Sequence, residues 1–413
     1  MRERDEKPAA ARICARGKIP RTCRLLVVLR VMPLIYLVTG EQSGDVLGAR
    51  LMHAIRSRRP DVAFAGIGGD AMAAEGLTTL FPIRALALMG LLEIVPKIFE
   101  LRTLLRRTIE NIEARRPDVL VTIDSPGFTL RVLKALQPTT LPRAHYVAPQ
   151  VWAWRENRVK HYPGLWDQLL CLLPFEPAFF ARHGLPARFV GHPVLESGAD
   201  TGNAERFRAR HGIAAEAKIL TVMPGSRQSE VSRLLPILEQ TIRLLPVPVV
   251  PVVPLAGPVE ETVRQQTSSW PVRPILVADT KGKHDAFAAS SAALTKSGTS
   301  TLELALANVP MLVTYRINPL SHQIAKRMIK VKYASIVNLL LNRAVVPELL
   351  QYESRPDRLA AELGRLLTDS DAADAQRRGF AEALAMLRPA SGMPSDCAAE
   401  AVLSMLSQSE MRQ

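Results

Sequence analysis

The stretch PLIYLVTGEQSGDVLGARLMHAIRSR, residues 33–58, runs from an apolar segment at 34–39 through a glycine-bearing turn into a helical pattern at 44–58. The same unit recurs downstream. Short apolar runs at 62–66, 118–123, 144–148, 168–173 and 188–190 read as strands, and helical segments at about 91–114 and 128–136 fall between them. A second series has strands at 218–223, 248–253, 274–278, 292–295 and 310–315 and helices at 229–245, 259–267, 284–290, 300–308 and 319–330. Strands that alternate with helices predict parallel sheets covered on both faces. Two such series predict an α/β chain of two doubly wound domains. The polar stretch 196–216, ESGADTGNAERFRARHGIAAE, reads as the linker between them, and from 355 onward the chain reads as helices only.

Composition narrows the classes. The chain has 413 residues, 47% of them apolar and 22% charged, which excludes a disordered protein. No run of 18 apolar residues is free of charge, so no transmembrane helix is expected. Cys14, Cys23, Cys171 and Cys397 are scattered, with no CxxC pair, and suit a reducing compartment. Residues 1–31 hold nine Lys/Arg and three Asp/Glu, net +6, so +8 of the overall +14 belongs to the rest. That extension has no clean periodicity. It reads as a disordered tail or the product of an upstream start codon, with folding beginning near Met32.

Open parallel sheets bind ligands at the carboxyl ends of their strands, so each strand-to-helix junction is a candidate site. Gly40-Glu-Gln-Ser-Gly-Asp45 follows the first strand. It suits a substrate-binding loop, and equally a tight turn capped by Ser43 or Asp45. Gly66-Ile-Gly-Gly-Asp-Ala71 fits G-x-G-x-x-A but follows the second strand, with no acidic strand end about twenty residues on, so NAD binding is not expected. Asp124 closes a strand ahead of Ser125-Pro-Gly127, where it could serve as a general base or as the cap of a turn. The aromatics of His145–Arg155 could stack a base, a sugar or an acyl chain, or pack a core.

In the second series, Met223-Pro-Gly-Ser-Arg227 precedes a helix, and the planar fork of Arg227 could reach a diphosphate. Lys296-Ser-Gly-Thr-Ser-Thr-Leu-Glu303 follows another strand, and its amides and hydroxyls suit a phosphate. Glu303 could accept from ribose hydroxyls, or close a capping box with Ser300. Both loops on one domain point to a nucleotide diphosphate. Asp369-Ser-Asp371 follows no strand and reads as a helix cap, so no metal site is expected. Residues 304–347 carry six Lys/Arg and no acid. Between Leu86 and Ile112 an apolar helical stripe is wider than one core face needs and is flanked by Lys97, Arg102, Arg106 and Arg107. Such a surface suits an anionic bilayer, a dimer face or a helix buried on two sides.

The loops, in order, are GEQSGDVLGARL (40–51), GIGGDAM (66–72), LMGLLEI (88–94), RPDVLVTIDSPGF (116–128), HYVAPQVWAWRENRV (145–159), LPFEPAFF (173–180), FVGHPV (189–194), MPGSRQSEV (223–231), KSGTSTLELALANVPMLVTYRINP (296–319) and NLLLNRAVVPELLQ (338–351). Together they resemble the lipid-A-disaccharide synthases, bacterial inverting glycosyltransferases of the two-domain GT-B architecture. The likeness spans residues 33 to about 352. It implies two Rossmann-like domains facing a cleft: an acceptor and membrane-facing domain at 32–205 and a UDP-sugar domain at 206–370. The helices of 371–413 would pack back on the first domain or on a partner. It implies transfer of 2,3-diacylglucosamine from UDP-2,3-diacylglucosamine to 2,3-diacylglucosamine 1-phosphate, with no cofactor. Asp124 then matches the base and Arg227 the diphosphate arginine. Ser297, Gly298, Thr299, Glu303 and Asn338 match donor-site residues, and Ser43, Gly44 and Asp45 cleft residues. Met89, Leu91, Leu92, Ile94, Val95 and Ile98 would form a membrane and acyl surface on the cytoplasmic side of the inner membrane. A homodimer is compatible with the resemblance. The competing readings are another GT-B UDP-sugar transferase, a UDP-sugar epimerase, or a nucleic-acid-binding protein; the last is disfavoured because no recognised motif is present and much of the excess charge lies in the extension.

Overall fold

The computed structural model of the protein describes residues 32–87, 94–318, 323 and 328–411, and for 87 and 94–98 the backbone alone. The extension 1–31 and most of the expected helix 319–330 lie outside the described residues. Six strands form the first sheet: β1 (Leu34–Thr39), β2 (Ala63–Ile67), β3 (Val119–Ile123), β4 (Arg143–Tyr146), β5 (Gln168–Cys171) and β6 (Ala187–Phe189), in the order β2-β1-β3-β4-β5-β6. Six more form the second: β7 (Ile219–Met223), β8 (Val250–Pro254), β9 (Ile275–Val277), β10 (Ala292–Lys296), β11 (Met311–Tyr315) and β12 (Glu348–Leu350), in the order β12-β11-β10-β7-β8-β9. The named strands pair in parallel throughout.

Strand periodicity explains why the runs are apolar on both sides. Ile35 and Leu37 enter the core on one face of the first sheet, Tyr36 and Val38 the core on the other, and all four are fully buried. Each such side chain contributes roughly 1.5–3 kcal/mol by leaving water. The second sheet repeats the scheme: Leu294 and Leu312 face one core, Ala293, Met311 and Val313 the other. The helix Gln42–Arg58 covers the first sheet with Leu47, Leu51, Met52 and Ile55. It stops one residue short of Arg59, which precedes Pro60 and so is steered out of helical backbone.

The C-terminal helices divide between the sheets. Pro356–Thr368 and Ser370–Met386 cover the second, the former through Leu359 and Leu363, the latter through Phe380 and Ala383. Gln376 takes the Met311 amide at 2.8 Å and donates to its carbonyl at 3.1 Å. The Asp369 carboxylate caps the second of these helices on the amides of Asp371 and Ala372. The last helix, Pro394–Glu410, crosses to the first sheet and places Ala398, Val402 and Leu406 in the core with Leu51 and Ile55. The outgoing and returning chains lie side by side. The His192 amide donates to the Leu387 carbonyl at 3.0 Å, and the Glu196 carboxylate accepts from both the amide and the hydroxyl of Ser395.

Three elements differ from the sequence expectation. The stretch 196–216, read as the linker, contains the helix Ala204–His211, capped by Asn203 and anchored by buried Phe207 and by an Arg206–Asp285 pair at 2.5 Å. β12 has three residues, too short to show alternation. Ile336–Leu341 is a further helix beside it.

In each sheet the order reverses once, between β1 and β3 and between β7 and β10. A reversal sends the two flanking connections to opposite faces and leaves a crevice at the carboxyl ends. Both crevices carry loops singled out in the sequence. Leu406→Ala should lower stability by roughly 2–5 kcal/mol, because a fully buried side chain leaves a cavity between two helices. Denaturant unfolding checks this, and a loss below ~1 kcal/mol would show that the last helix is not integral to the first core.

Candidate active site

On the first sheet, β3 ends in Asp124 and Ser125, both with φ of +49°. The Asp124 amide donates to the Tyr146 carbonyl on β4 at 2.8 Å, and its carbonyl accepts from the Thr129 hydroxyl at 2.6 Å. The Ser125 amide donates to Asp124 Oδ1 at 2.7 Å, which fixes the carboxylate at the rim of the cleft, half-buried. Across the switch point lies the loop after β1. Ser43 there is exposed, and Gly44 is buried at the start of its helix. Asp45 is also buried, and its carboxylate accepts from the amides of Gly69, Ala71 and Met72 at 2.7, 2.9 and 3.1 Å. It ties two loops together inside the domain and holds no oxygen out to the cleft. The same contacts, with Gly68 donating to the Thr79 hydroxyl, engage the amides of Gly68, Gly69 and Ala71 in the GIGGDA loop within the domain.

Glu41 lies in the same loop after β1. Burial raises its carboxyl above the usual range, Asp124 raises it further, and Arg227 opposes both.

Arg227 stands just before the helix Gln228–Arg243, with its side chain 72% exposed. It reaches Glu230 Oε1 at 3.4 Å. Lys296, the last residue of β10, reaches the same oxygen at 3.4 Å, and the Tyr315 hydroxyl at the end of β11 at 3.5 Å. Glu230 itself is buried, with Oε2 unpartnered. Gly225, at φ +118°, makes room for it: a Cβ there would come within 2.5 Å of that oxygen. Only glycine accepts both the backbone angle and the contact.

The loop after β10 is braced from below. The Ser297 hydroxyl donates to the Ala334 carbonyl at 2.7 Å, while the amides of Ala334 and Ser335 both donate to the Glu348 carboxylate at 2.8 Å. Asn338 is buried in the same clasp. Its amide nitrogen donates to Val346 O and Glu348, and its oxygen accepts from the amides of Val345 and Val346. Two donors and two acceptors are all an amide side chain has, so Asn338 supports the loop. Gly298 sits at φ +155° and Thr299 is exposed at the loop tip. Glu303 pairs with Lys283 at 3.0 Å.

The structure therefore brings Asp124, Arg227, Ser297, Gly298 and Thr299 to the two crevices and turns Asp45 and Asn338 inward. Sequence reasoning assigned no role to Glu41, Glu230, Lys296 or Tyr315. Lys296 and Tyr315 could have been found by the rule that singled out Asp124, since each ends a strand beside the switch point. Of the aromatic segment, Tyr146 is buried and Trp152 is half-buried, the latter held by Glu176 at 3.0 Å and edge-on to Phe175. Trp154 alone among its tryptophans is substantially exposed, with Arg155 4.1 Å over its ring. Met89, Leu91 and Leu92 lie outside the described residues, as do the side chains of Ile94, Val95 and Ile98. Further along that helix Leu104 and Ile112 face the core, whereas Phe99 is 68% exposed.

Two Rossmann-like domains, each with loops at a switch-point crevice, define the GT-B architecture. Solved structures share this fold. The UDP-GlcNAc 2-epimerase of Neisseria meningitidis, bound to UDP-GlcNAc, gives a TM-score of 0.60 at 12% identity over 91% of this chain and 100% of that one. The calicheamicin glycosyltransferase CalG4 gives 0.54 at 16% identity over 92% and 99%. The chain belongs to the lipid-A-disaccharide synthase family. The sequence model of lipid-A-disaccharide synthetase matches residues 35–402. The lipid-A-disaccharide synthase of Granulibacter bethesdensis is 54% identical over 91% of this chain and 99% of its own length. That of Pseudomonas aeruginosa is 40% identical over 90% and 98%. The protein is thus an enzyme of lipid A biosynthesis.

One buried acid near the cleft sets a pH dependence. Glu176 has its carboxyl pushed up to about 7 by burial, against the donors Leu173 N, Trp152 and Leu172 N that favour its charged form. The folded pKa lies above the unfolded value, so the folded chain binds the proton more tightly. Stability from this group is complete below about pH 4.5, falls as pH rises, and is lost above about pH 7, by on the order of 3 kcal/mol. Unfolding midpoints from pH 5 to 8 should therefore decline more steeply for the native chain than for Glu176→Gln. Equal slopes would remove Glu176 as the cause.

Proposed function

We propose that the enzyme transfers 2,3-diacylglucosamine from UDP-2,3-diacylglucosamine to the 6-hydroxyl of 2,3-diacylglucosamine 1-phosphate. The products are the β-1,6-linked disaccharide 1-phosphate and UDP. The observation that supports this reading is that Asp124 follows β3 and Arg227 follows β7, each at the switch point of its own sheet. The donor is α-linked and the product β-linked, so one in-line displacement inverts the anomeric carbon. The acceptor oxygen forms the new bond to C1 as its proton passes to the Asp124 carboxylate. The bond from C1 to the β-phosphate oxygen breaks, and its electron pair leaves with UDP. Arg227 stands on the departing side, where a guanidinium offsets charge as it develops.

Both substrates carry acyl chains, which ties the site to a lipid surface. The exposed Phe99, with Arg102 and Arg106 exposed beside it on the helix Ile94–Arg115, supports peripheral binding to the cytoplasmic face of the inner membrane. Among the described residues no helix is long and apolar enough to cross a membrane.

In detergent micelles, UDP release should depend on the acceptor and yield a tetraacyl disaccharide phosphate by mass spectrometry. Release without acceptor, or a UDP-sugar isomer as product, would favour the epimerase reading instead. Asp124→Asn should lower kcat by about 10²–10⁴-fold, the usual worth of a general base, with UDP affinity retained. Near-normal turnover would exclude it as the base. Arg227→Ala should weaken UDP binding by about tenfold or more, and unchanged affinity would remove it from the diphosphate site.

A further inference from the structure

The donor-side crevice holds a charge arrangement that a nucleotide-free protein has no evident use for. A buried carboxylate, Glu230, gathers Arg227, Lys296 and Tyr315 on a single oxygen, at 3.4, 3.4 and 3.5 Å. None of these is a tight ion pair, since charge-assisted hydrogen bonds close to about 2.7–2.9 Å. The other carboxylate oxygen is buried and accepts nothing. An acid in such a place costs stability unless its partners hold it firmly, and here they do not. Both cations are instead left with donor capacity, because an ammonium has three N–H groups and a guanidinium five.

The backbone explains where that capacity points. Lys296 ends β10 and Arg227 follows β7, the two strands that flank the switch point. The Lys296 ammonium arches over Gly298, 3.2 Å from where a Cβ would stand. It therefore lies directly on the loop whose glycine leaves the backbone bare. Tyr315, on the next strand, adds a third donor near the same carboxylate oxygen, at 3.5 Å.

We propose that Lys296 is a second cation for the diphosphate of the sugar nucleotide, held ready by Glu230 until the phosphates replace that carboxylate as its partner. This inference rests on the donor-site reading above and adds to it a residue and a division of labour. Arg227, exposed at the rim, meets the β-phosphate, on whose oxygen charge develops as the bond to C1 breaks. Lys296, mostly covered, fixes the phosphate nearer the sheet. Glu230 touches no substrate and is a positioning residue.

The test compares uridine, UMP and UDP as ligands of the full chain by calorimetry. Native protein should bind UDP more tightly than UMP and UMP more tightly than uridine. Lys296→Met should weaken UDP by about tenfold or more while uridine is unchanged, and Lys296→Arg should restore most of the loss. Glu230→Gln should change UDP affinity in strong salt dependence and raise the KM for donor more than it lowers kcat. Equal UDP affinity in native protein and Lys296→Met, both folded by circular dichroism, would overturn the role of Lys296 and leave the donor site standing. A parallel loss for uridine and UDP would show that Lys296 only supports the fold. Native protein that binds none of the three would overturn the donor-site reading itself.

Discussion

The pair of left-handed residues at the end of β3 is the constraint on which the rest of the site depends. Residues other than glycine, asparagine or aspartate enter that region at a cost of about 1–2 kcal/mol each. Ser125 does so, and Val147 at the end of the neighbouring β4 does too, at φ +79°; Asp124 enters it more cheaply, because its own carboxylate accepts from the Ser125 amide. The strain persists because the ladder continues through it: Asp124 N–H meets Tyr146 O, and Val147 N–H meets Leu170 O. Relaxing either residue would break a hydrogen bond between buried strands. The sheet thus forces the chain to turn sharply where the strand stops, and the sharp turn is what presents a carboxylate at the crevice rather than along the sheet.

The opposite wall works by charge rather than by strain. Arg227 and Lys296 come from different strands and meet only because β7 and β10 are neighbours at the reversal. Glu230 keeps two like charges within reach of one another by standing between them. Lys330, from the segment before β12, reaches across to the first domain, donating its amide to Ala153 O and pairing with Glu156. The two domains are therefore joined by this polar contact and by the apolar cluster that unites Leu173 and Val194 with Phe287 and Leu302.

How much of this could be read from the residues depended on the kind of information each position carries. Strands such as Leu34–Thr39 are local: their apolar runs are visible without the fold. So are Asp124 and Arg227, because a strand end followed by a turn marks its own position. β12 was not legible, since three half-buried residues carry no period. The helix Ala204–His211 hid behind its polar sequence, which is stabilised by one buried phenylalanine and an ion pair to a distant helix. Glu230 lies in the first turn of a helix, where an acid ordinarily faces water, and its burial follows from Gly225 and two other strands. Asn338 was assigned to the site by family resemblance alone, and Asp45 by a loop reading that left a cap equally open. Their side chains are engaged by backbone amides that no local pattern reveals.

The path of the chain also imposes an order in time. The first domain is discontinuous: its sheet is complete by β6, but one side of its core is closed by the helix Pro394–Glu410, 17 residues at the far end of the sequence. During synthesis the face of Gln42–Arg58 that carries Leu51 and Ile55 must wait, uncovered, while the whole second domain is made. An apolar face exposed for that long is a target for chaperones and a route to aggregation. The domain that emerges first is thus the one that finishes last, and its maturation reports that the other is already in place.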